Sequence, residues 1–275
     1  ELFPRGGTAS SGVSGAPMKL ITDDGFEYGG PIKRNRLWFW GALGYQKIDL
    51  GILNFYDTSR AECNPPPSTF DKLEQTQDCL KGDTTIIKNY NAKANYQLNG
   101  SHKFQGLYQN SNKIRNARGA SATTLPEATV RQYSPGGSWQ INGKHTWVVS
   151  DRLVLDNQLL YVHNFFNLDF QDYDQNCAYT VGGTFPDNAG CLFNTQRFID
   201  RDLGTTGRSA NASFFERPEV QIKSDGNYFL TNKLGGDHSM KFGVAWREYK
   251  SNSYGHTGGF ADARYQTRSG VFGAD

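Results

Sequence analysis

The feature that most limits what this chain can fold into is an alternation of polar and apolar residues with a period of two. In Asn89-Tyr90-Asn91-Ala92-Lys93-Ala94-Asn95-Tyr96-Gln97-Leu98 every even position is apolar or aromatic and every odd position is polar. An extended strand sends successive side chains to opposite faces, so this segment has one apolar and one polar face. The pattern returns where Trp139, Ile141 and Trp147 alternate with Ser138, Gln140, Asn142 and Lys144. It returns again at Val220, Ile222 and Tyr228 against Gln221, Lys223, Asp225 and Asn227, and at Phe242, Val244 and Trp246 against Lys241 and Arg247. Residues 153–168 are noisier, with apolar side chains on both faces around Leu159-Leu160-Tyr161-Val162, as expected of a strand that packs against something on its inner side. No segment sustains a helical period.

The spacing predicts eight strands in four hairpins, at about 22–29, 37–49, 85–98, 103–116, 136–149, 153–169, 218–231 and 239–253. Their connections differ by end. Short turns fall at Gly29–Arg36, Asn99–His102, Ser150–Arg152 and Asn232–Asp237, whereas long polar connections fall at about 50–84, 117–133, 171–216 and from 255 onward. A soluble sandwich has shorter strands and loops of similar length at both ends. Long strands with tight turns at one end and long loops at the other are the signature of an outer-membrane barrel. The expected fold is therefore all-β, an antiparallel transmembrane β-barrel. Trp38, Trp40 and Trp147, close to short turns, are expected in the interfacial aromatic girdle.

The polar face adds a size argument. Lys93, Lys144, Lys223, Lys241 and Arg247 all fall on it, and in a packed apolar core they would be very costly. A wide lumen, wet or filled by a plug, accommodates them, so the eight strands read as part of a larger barrel. No run approaches the roughly 18–20 apolar residues of a membrane helix. A barrel strand escapes that test, because only alternate residues face lipid. The net charge is +2, with charges spread singly, which gives no electrostatic basis for nucleic-acid binding. The chain starts at Glu1 without a leader and reads as one partial barrel domain over 1–275, with neither plug nor signal peptide visible.

Cys63 and Cys79 lie in one long loop, and Cys177 and Cys191 in another. Four cysteines allow three pairings. The local pairing is favoured because each pair sits inside one long polar loop, and closing a loop of about 15 residues can contribute on the order of 3 kcal/mol. Disulfides fit a periplasm or cell surface. No zinc spacing accompanies them. The histidines His102, His145, His163, His238 and His256 form no HExxH or other close metal spacing; His102 and His238 read as solvated turn residues. Asp169, Asp172 and Asp174 read as a solvated acidic loop rather than a calcium site. There is no GxSxG and no phosphate-cradling glycine loop, so no catalytic residue, metal or cofactor is assigned and the chain is not expected to be an enzyme. Loops on rigid scaffolds carry binding. The loop aromatics Phe55, Tyr56, Phe70, Tyr173, Tyr179, Phe185 and Phe193 are therefore the candidates for ligand contact.

The segment Asp24-Gly25-Phe26-Glu27-Tyr28-Gly29-Gly30-Pro31-Ile32-Lys33-Arg34-Asn35-Arg36-Leu37-Trp38-Phe39-Trp40-Gly41-Ala42-Leu43-Gly44-Tyr45 resembles a hairpin of the Oar-like TonB-dependent receptors. There a strand ends in a Gly-Gly-Pro-Ile turn, followed by basic residues and an aromatic run. His238-Ser239-Met240-Lys241-Phe242-Gly243 is similar, more weakly, to a strand opening common in such barrels. The resemblance implies a 22-stranded barrel in the bacterial outer membrane, with an N-terminal plug and a TonB box. It implies a transporter or receptor that binds and imports a large or scarce nutrient. Its partners would be outer-membrane lipid, the nutrient ligand, and the TonB complex through parts of the protein not in this sequence. Two alternatives remain open at this point. One is a self-contained eight-stranded barrel with an adhesin or structural role; the other is a secreted β-rich binding protein.

Overall fold

A computed structural model describes residues 16–57, 59–63, 78–121, 124, 126–134, 136–170, 197–201, 205–207, 211–233, 235–257, 262–268 and 271–274. The described residues are dominated by antiparallel strands: β1 (Met18–Lys33), β2 (Leu37–Tyr56), β3 (Leu80–Gln97), β4 (His102–Arg118), β5 (Val130–Tyr133), β6 (Ser138–Ser150), β7 (Leu153–Phe170), β10 (Asn211–Lys233), β11 (Gly236–Tyr249) and β12 (Asn252–Thr257). These ten form one sheet. β6 runs between β4 and β7, and β5 takes the same place nearer the loop end, so β5 and β6 act as one interrupted strand. β12 pairs the start of β10 in the way that β11 pairs its remainder. The wall thus has eight strands, each hydrogen-bonded to its neighbour in sequence. β8 (Arg197–Asp200), β9 (Thr205–Gly207), β13 (Asp262–Arg268) and β14 (Val271–Ala274) form a separate small sheet in which β8 and β13 run parallel.

The strands are longer than the alternation alone indicated, mainly at the loop end. β2 continues to Tyr56, β3 starts at Leu80 and β10 starts at Asn211. The first turn is also tighter than expected. Gly29, Gly30 and Pro31 lie within β1 and pair with Trp40, Phe39 and Trp38. The reversal itself occupies Arg34–Arg36, closed by the Arg36 amide donating to the Lys33 carbonyl at 3.0 Å, with Asn35 in the left-handed region at φ 60°. Proline is tolerated there because β1 is an edge strand with a register shift after Pro31. Gly29 is needed for closeness: a β-carbon would press on the Phe39 carbonyl and on Trp40.

Cross-strand pairing settles the faces. One face carries Phe26, Leu43, Tyr90 and Tyr108, continuing through Ile141, Leu159, Ile222 and Trp246. It is open along its length: Val244 is 71%, Phe26 66% and Tyr28 65% exposed. An apolar surface of this extent in water marks an interaction or membrane surface. On this face Asp24, Tyr45, Lys88 and Asn112 form one continuous cross-strand row. They mark where β1–β4 leave the apolar band toward the loop end. The other face carries Asn91, Gln109, Gln140 and Lys144 and their neighbours, which are half-buried and line concave grooves. The polar face is therefore the inside of the curve. Leu160 and Val162, the source of the noisy alternation in β7, sit on this inner face beside Asn142 and Gln140.

Few of the described residues are buried, and apart from Gly226 they sit at the loop end. Ile52, Cys63, Cys79 and Leu80 form one cluster at the ends of β2 and β3. Ala128, Thr129, Phe165, Asn167, Asp169, Ala212 and Phe214 form another around β5, β7 and β10. The lipid-facing band needs no core, because the bilayer itself removes that face from water.

Candidate functional site

The inner face is the surface on which a barrel of this kind can hold or pass a solute. Its wall is built from hydrogen-bonded amides on one side and ion pairs on the other. On β3, β4 and β6, Gln105 donates to Asn95 at 2.8 Å and Gln109 donates to Asn91 at 3.2 Å, and Gln140 continues the chain by donating to Gln109. On β6, β7, β10 and β11, Lys144 meets Asp156 at 3.2 Å, Lys223 meets Asp225 at 2.6 Å and Arg247 meets Glu219 at 2.8 Å. These pairs are partly exposed, so each contributes little to stability. They line a water-accessible surface.

Toward the loop end the inner face becomes cationic. Lys113, Arg115 and Arg118 come from β4 and Arg217 from β10. Arg115 is bound by Asp83. Arg118 is there because of a bulge: β4 spends three residues from Arg115 to Arg118 while β5 spends two from Gln132 to Val130, with Ala117 at φ 53°. Without the extra residue Arg118 would point outward. Its guanidinium donates instead to Gln132 at 2.9 Å.

A sequence model for the outer membrane beta barrel domain matches residues 46–272, most of the chain. The chain belongs to that family. This places the outer membrane β-barrel domain in the bacterial outer membrane. The exposed apolar band is its lipid face, the tight turns are its periplasmic end and the long loops its outer end. The match starts at Gln46, one residue beyond the hairpin that resembles Oar-like TonB-dependent receptors. No curated protein and no solved structure matches the chain.

Within this domain the Cys63–Cys79 disulfide is formed, with the α-carbons 5.4 Å apart. Cys177, Cys191, Phe70, Tyr173, Tyr179, Phe185 and Phe193 lie outside the described residues. Phe55 and Tyr56 are not loop aromatics: both belong to β2, and Phe55 is half-buried. Trp38 and Trp40 are not girdle residues of the lipid face. Pairing puts them on the inner face beside Asn95 and Lys93, and the Trp40 indole donates to Glu27 at 3.3 Å. Leu37 and Phe39 take the outer positions. Trp147 is on the outer face, as expected.

Two further sequence expectations change. His102 opens β4 rather than standing in a solvated turn. Its Nδ1 is 3.0 Å from Nε2 of His145, and the His102 ring stacks on Trp147 while the His145 ring stacks on Phe104. Asp169 is the penultimate residue of β7 and is buried, accepting a hydrogen bond from the Tyr133 hydroxyl at 3.1 Å. The place of Arg118 among the β4 cations was missed by sequence reading because it depends on the bulge at Ala117. Among the described residues no group of three or more His, Cys, Asp or Glu side chains is arranged to hold a metal.

Proposed function

We propose that this domain is part of the wall of a TonB-dependent outer-membrane transporter of the Oar-like type, which binds and imports a large or scarce nutrient without catalysing a reaction on it. The observation that carries the reading is the inner face. Eight strands present amides, paired ions and unpaired cations to the inside, where a small packed barrel would present filling side chains. Among the described residues β1 pairs only β2, and β11 pairs only strand β10. In lipid an open strand edge leaves unsatisfied amides, so both edges call for neighbouring strands. An arc of a wider barrel supplies them on both sides. The resemblance of the β1–β2 hairpin to TonB-dependent receptors supports the same reading. On it, the TonB complex engages through parts of the protein outside this sequence.

The test is nutrient uptake by cells carrying the intact gene compared with a deletion strain, each with and without a protonophore. A TonB-dependent transporter loses uptake in the deletion strain and under the protonophore. Uptake that depends on the gene but survives the protonophore would indicate a passive pore and remove the TonB assignment.

A further inference from the structure

A row of inner-face residues crosses five strands at the outer end of the wall. Asn89 pairs with Ser111, and Ser111 with Ser138. The Ser138 hydroxyl donates to Asn164 at 3.1 Å, and Asn164 pairs with Arg217. Asn89, Ser111, Ser138 and Asn164, with Asn91, Gln109 and Gln140, line a concave groove whose amides and hydroxyls stand beside Trp139 and Val162. Cations stand at both of its ends. At one end, two residues beyond Ser111 on the same face of β4, is Lys113, followed by Arg115 and Arg118. At the other end is Arg217.

The charges at these ends are not balanced. Asp83 is fully engaged by Arg115, and Glu219 by Arg247. Lys113 is half-buried and lies within electrostatic reach of Arg115 and Arg118, with Asp83, among the described residues, the carboxylate that acts on it. Arg118 bonds only the neutral Gln132. Arg217 sits over the Phe215 ring at 5.4 Å, and its buried Nε has no hydrogen-bond acceptor among the described residues. Among the described residues these three cations have no carboxylate partner, and on a concave wall they focus a positive potential into the space they face. A wall that only needed to be wet would be cheaper with amides throughout, as its middle shows.

We propose that this groove binds a multivalent anion, one whose carboxylate or phosphate groups reach from Lys113 to Arg217, with Arg118 adding to the positive potential above Lys113. Adjacent strands lie about 4.8 Å apart and a strand rises about 3.4 Å per residue, so three strand spacings and a two-residue offset put Lys113 roughly 16 Å from Arg217 along the wall, less across its curve, with Arg118 farther up the strand. A single small anion occupies one end; a chain of three or so charged units spans both. The amides and hydroxyls of the groove floor take the polar groups between the charges. This inference rests on the transporter reading for why such an anion would enter the lumen, but binding itself requires no energy source.

The experiment uses the full-length protein in detergent, with binding of trigalacturonate, inositol hexakisphosphate and neutral maltotriose measured by calorimetry. The expected result is that at least one of the two anions binds and maltotriose does not, with binding weakened as salt shortens the screening length. Preference between the two anions tells carboxylate from phosphate. Lys113→Gln and Arg217→Gln should each weaken binding about tenfold, the loss of one charge-assisted hydrogen bond. Lys33→Gln, at the exposed turn end of β1, should leave it unchanged. Heat-modifiable mobility on gels reports that each variant is folded. Equal binding of maltotriose, no binding of either anion, or unchanged affinity in folded Lys113→Gln and Arg217→Gln proteins would overturn the proposal. Anion binding together with protonophore-insensitive uptake would leave this site standing and remove the transporter reading; energised uptake without anion binding would do the reverse.

Discussion

Arg115 holds Asp83 with two donors across the β3–β4 ladder, Nε at 3.0 Å from Oδ1 and Nη2 at 2.6 Å from Oδ2, while Asp83 is only 8% exposed. Removing the guanidinium strands a nearly buried carboxylate. Arg115→Met should destabilise the loop end of β3 and β4 by about 1–3 kcal/mol, below the fully buried range because Arg115 is partly exposed. The double variant Arg115→Met, Asp83→Leu should recover most of that loss. Urea unfolding in detergent of the two variants checks this, and equal destabilisation of both would show that the pair is not the cause.

The two faces of β3 should respond oppositely to charge. Ala94 lies on the lipid face between Phe39 and Gly106, and Asn95 on the inner face between Trp38 and Gln105. Ala94→Arg should cost roughly 2–4 kcal/mol if it lies near the bilayer midplane, and Asn95→Arg should be mild. Folding into lipid vesicles followed by gel mobility distinguishes them. Equal tolerance would reverse the assignment of lipid and lumen.

The Cys63–Cys79 disulfide closes the connection between β2 and β3 next to a buried cluster, with Cys63 wholly inaccessible. Replacing both cysteines by alanine should cost on the order of 3 kcal/mol of loop order. The loss should be local, because β2 and β3 remain zipped from Leu37 to Gly51 by their own ladder. Limited proteolysis is expected to cut the loop of the variant faster while the barrel fragment stays intact.

Phe242 covers Gly226, its direct partner across β10 and β11, so closely that a β-carbon at 226 would overlap the ring. Gly226→Val should push the ring off the strand and remove a cross-strand pair contributing about 0.2–1 kcal/mol. Replacing Phe242 by alanine in the same background should then cost less than it does beside glycine. A double-mutant cycle measures the coupling, and additive effects would mean that the ring does not depend on the bare strand.

The Ser59 side-chain hydroxyl donates to Asp57 at 2.6 Å, and with the Ser59 amide it holds that carboxyl below its ordinary value of 3.8. The lowered folded value means this contact stabilises the loop fully above pH 3.8 and is lost as pH falls through the folded value. Ser59→Ala should move the titration midpoint of Asp57 upward toward 3.8. Carboxyl-carbon NMR reads this directly; an unmoved midpoint would assign the shift to something other than Ser59.

Most of the wall was legible because its signal is local. The eight strands follow from alternation and turn placement, and Tyr90, Ala92, Ala94 and Tyr96 face outward as their even spacing requires. The misreadings have one physical origin each. Gly29-Gly30-Pro31 has the composition of a turn, but an edge strand tolerates proline and the chain reverses four residues later. Trp38 and Trp40 look like girdle residues by type, yet parity along β2 sends them inward. His102 looks like a turn residue until β4 and β6 pair and bring His145 to its ring. For the candidate site, the inward lysines were visible in the sequence, but the group at its outer end was not.

The sequence by itself determined that this chain makes long antiparallel strands with one apolar and one polar face, because side-chain parity in a strand is fixed by the backbone. It also determined that the polar face is too charged for a packed core. Only the tertiary structure decided which residues of different strands stand together. Register between strands set the row from Asn89 to Arg217, and a single extra residue at Ala117 turned Arg118 from the lipid side to the lumen. A period of two records which face a residue takes within its own strand. It does not record how far neighbouring strands are shifted against each other, or where one of them bulges.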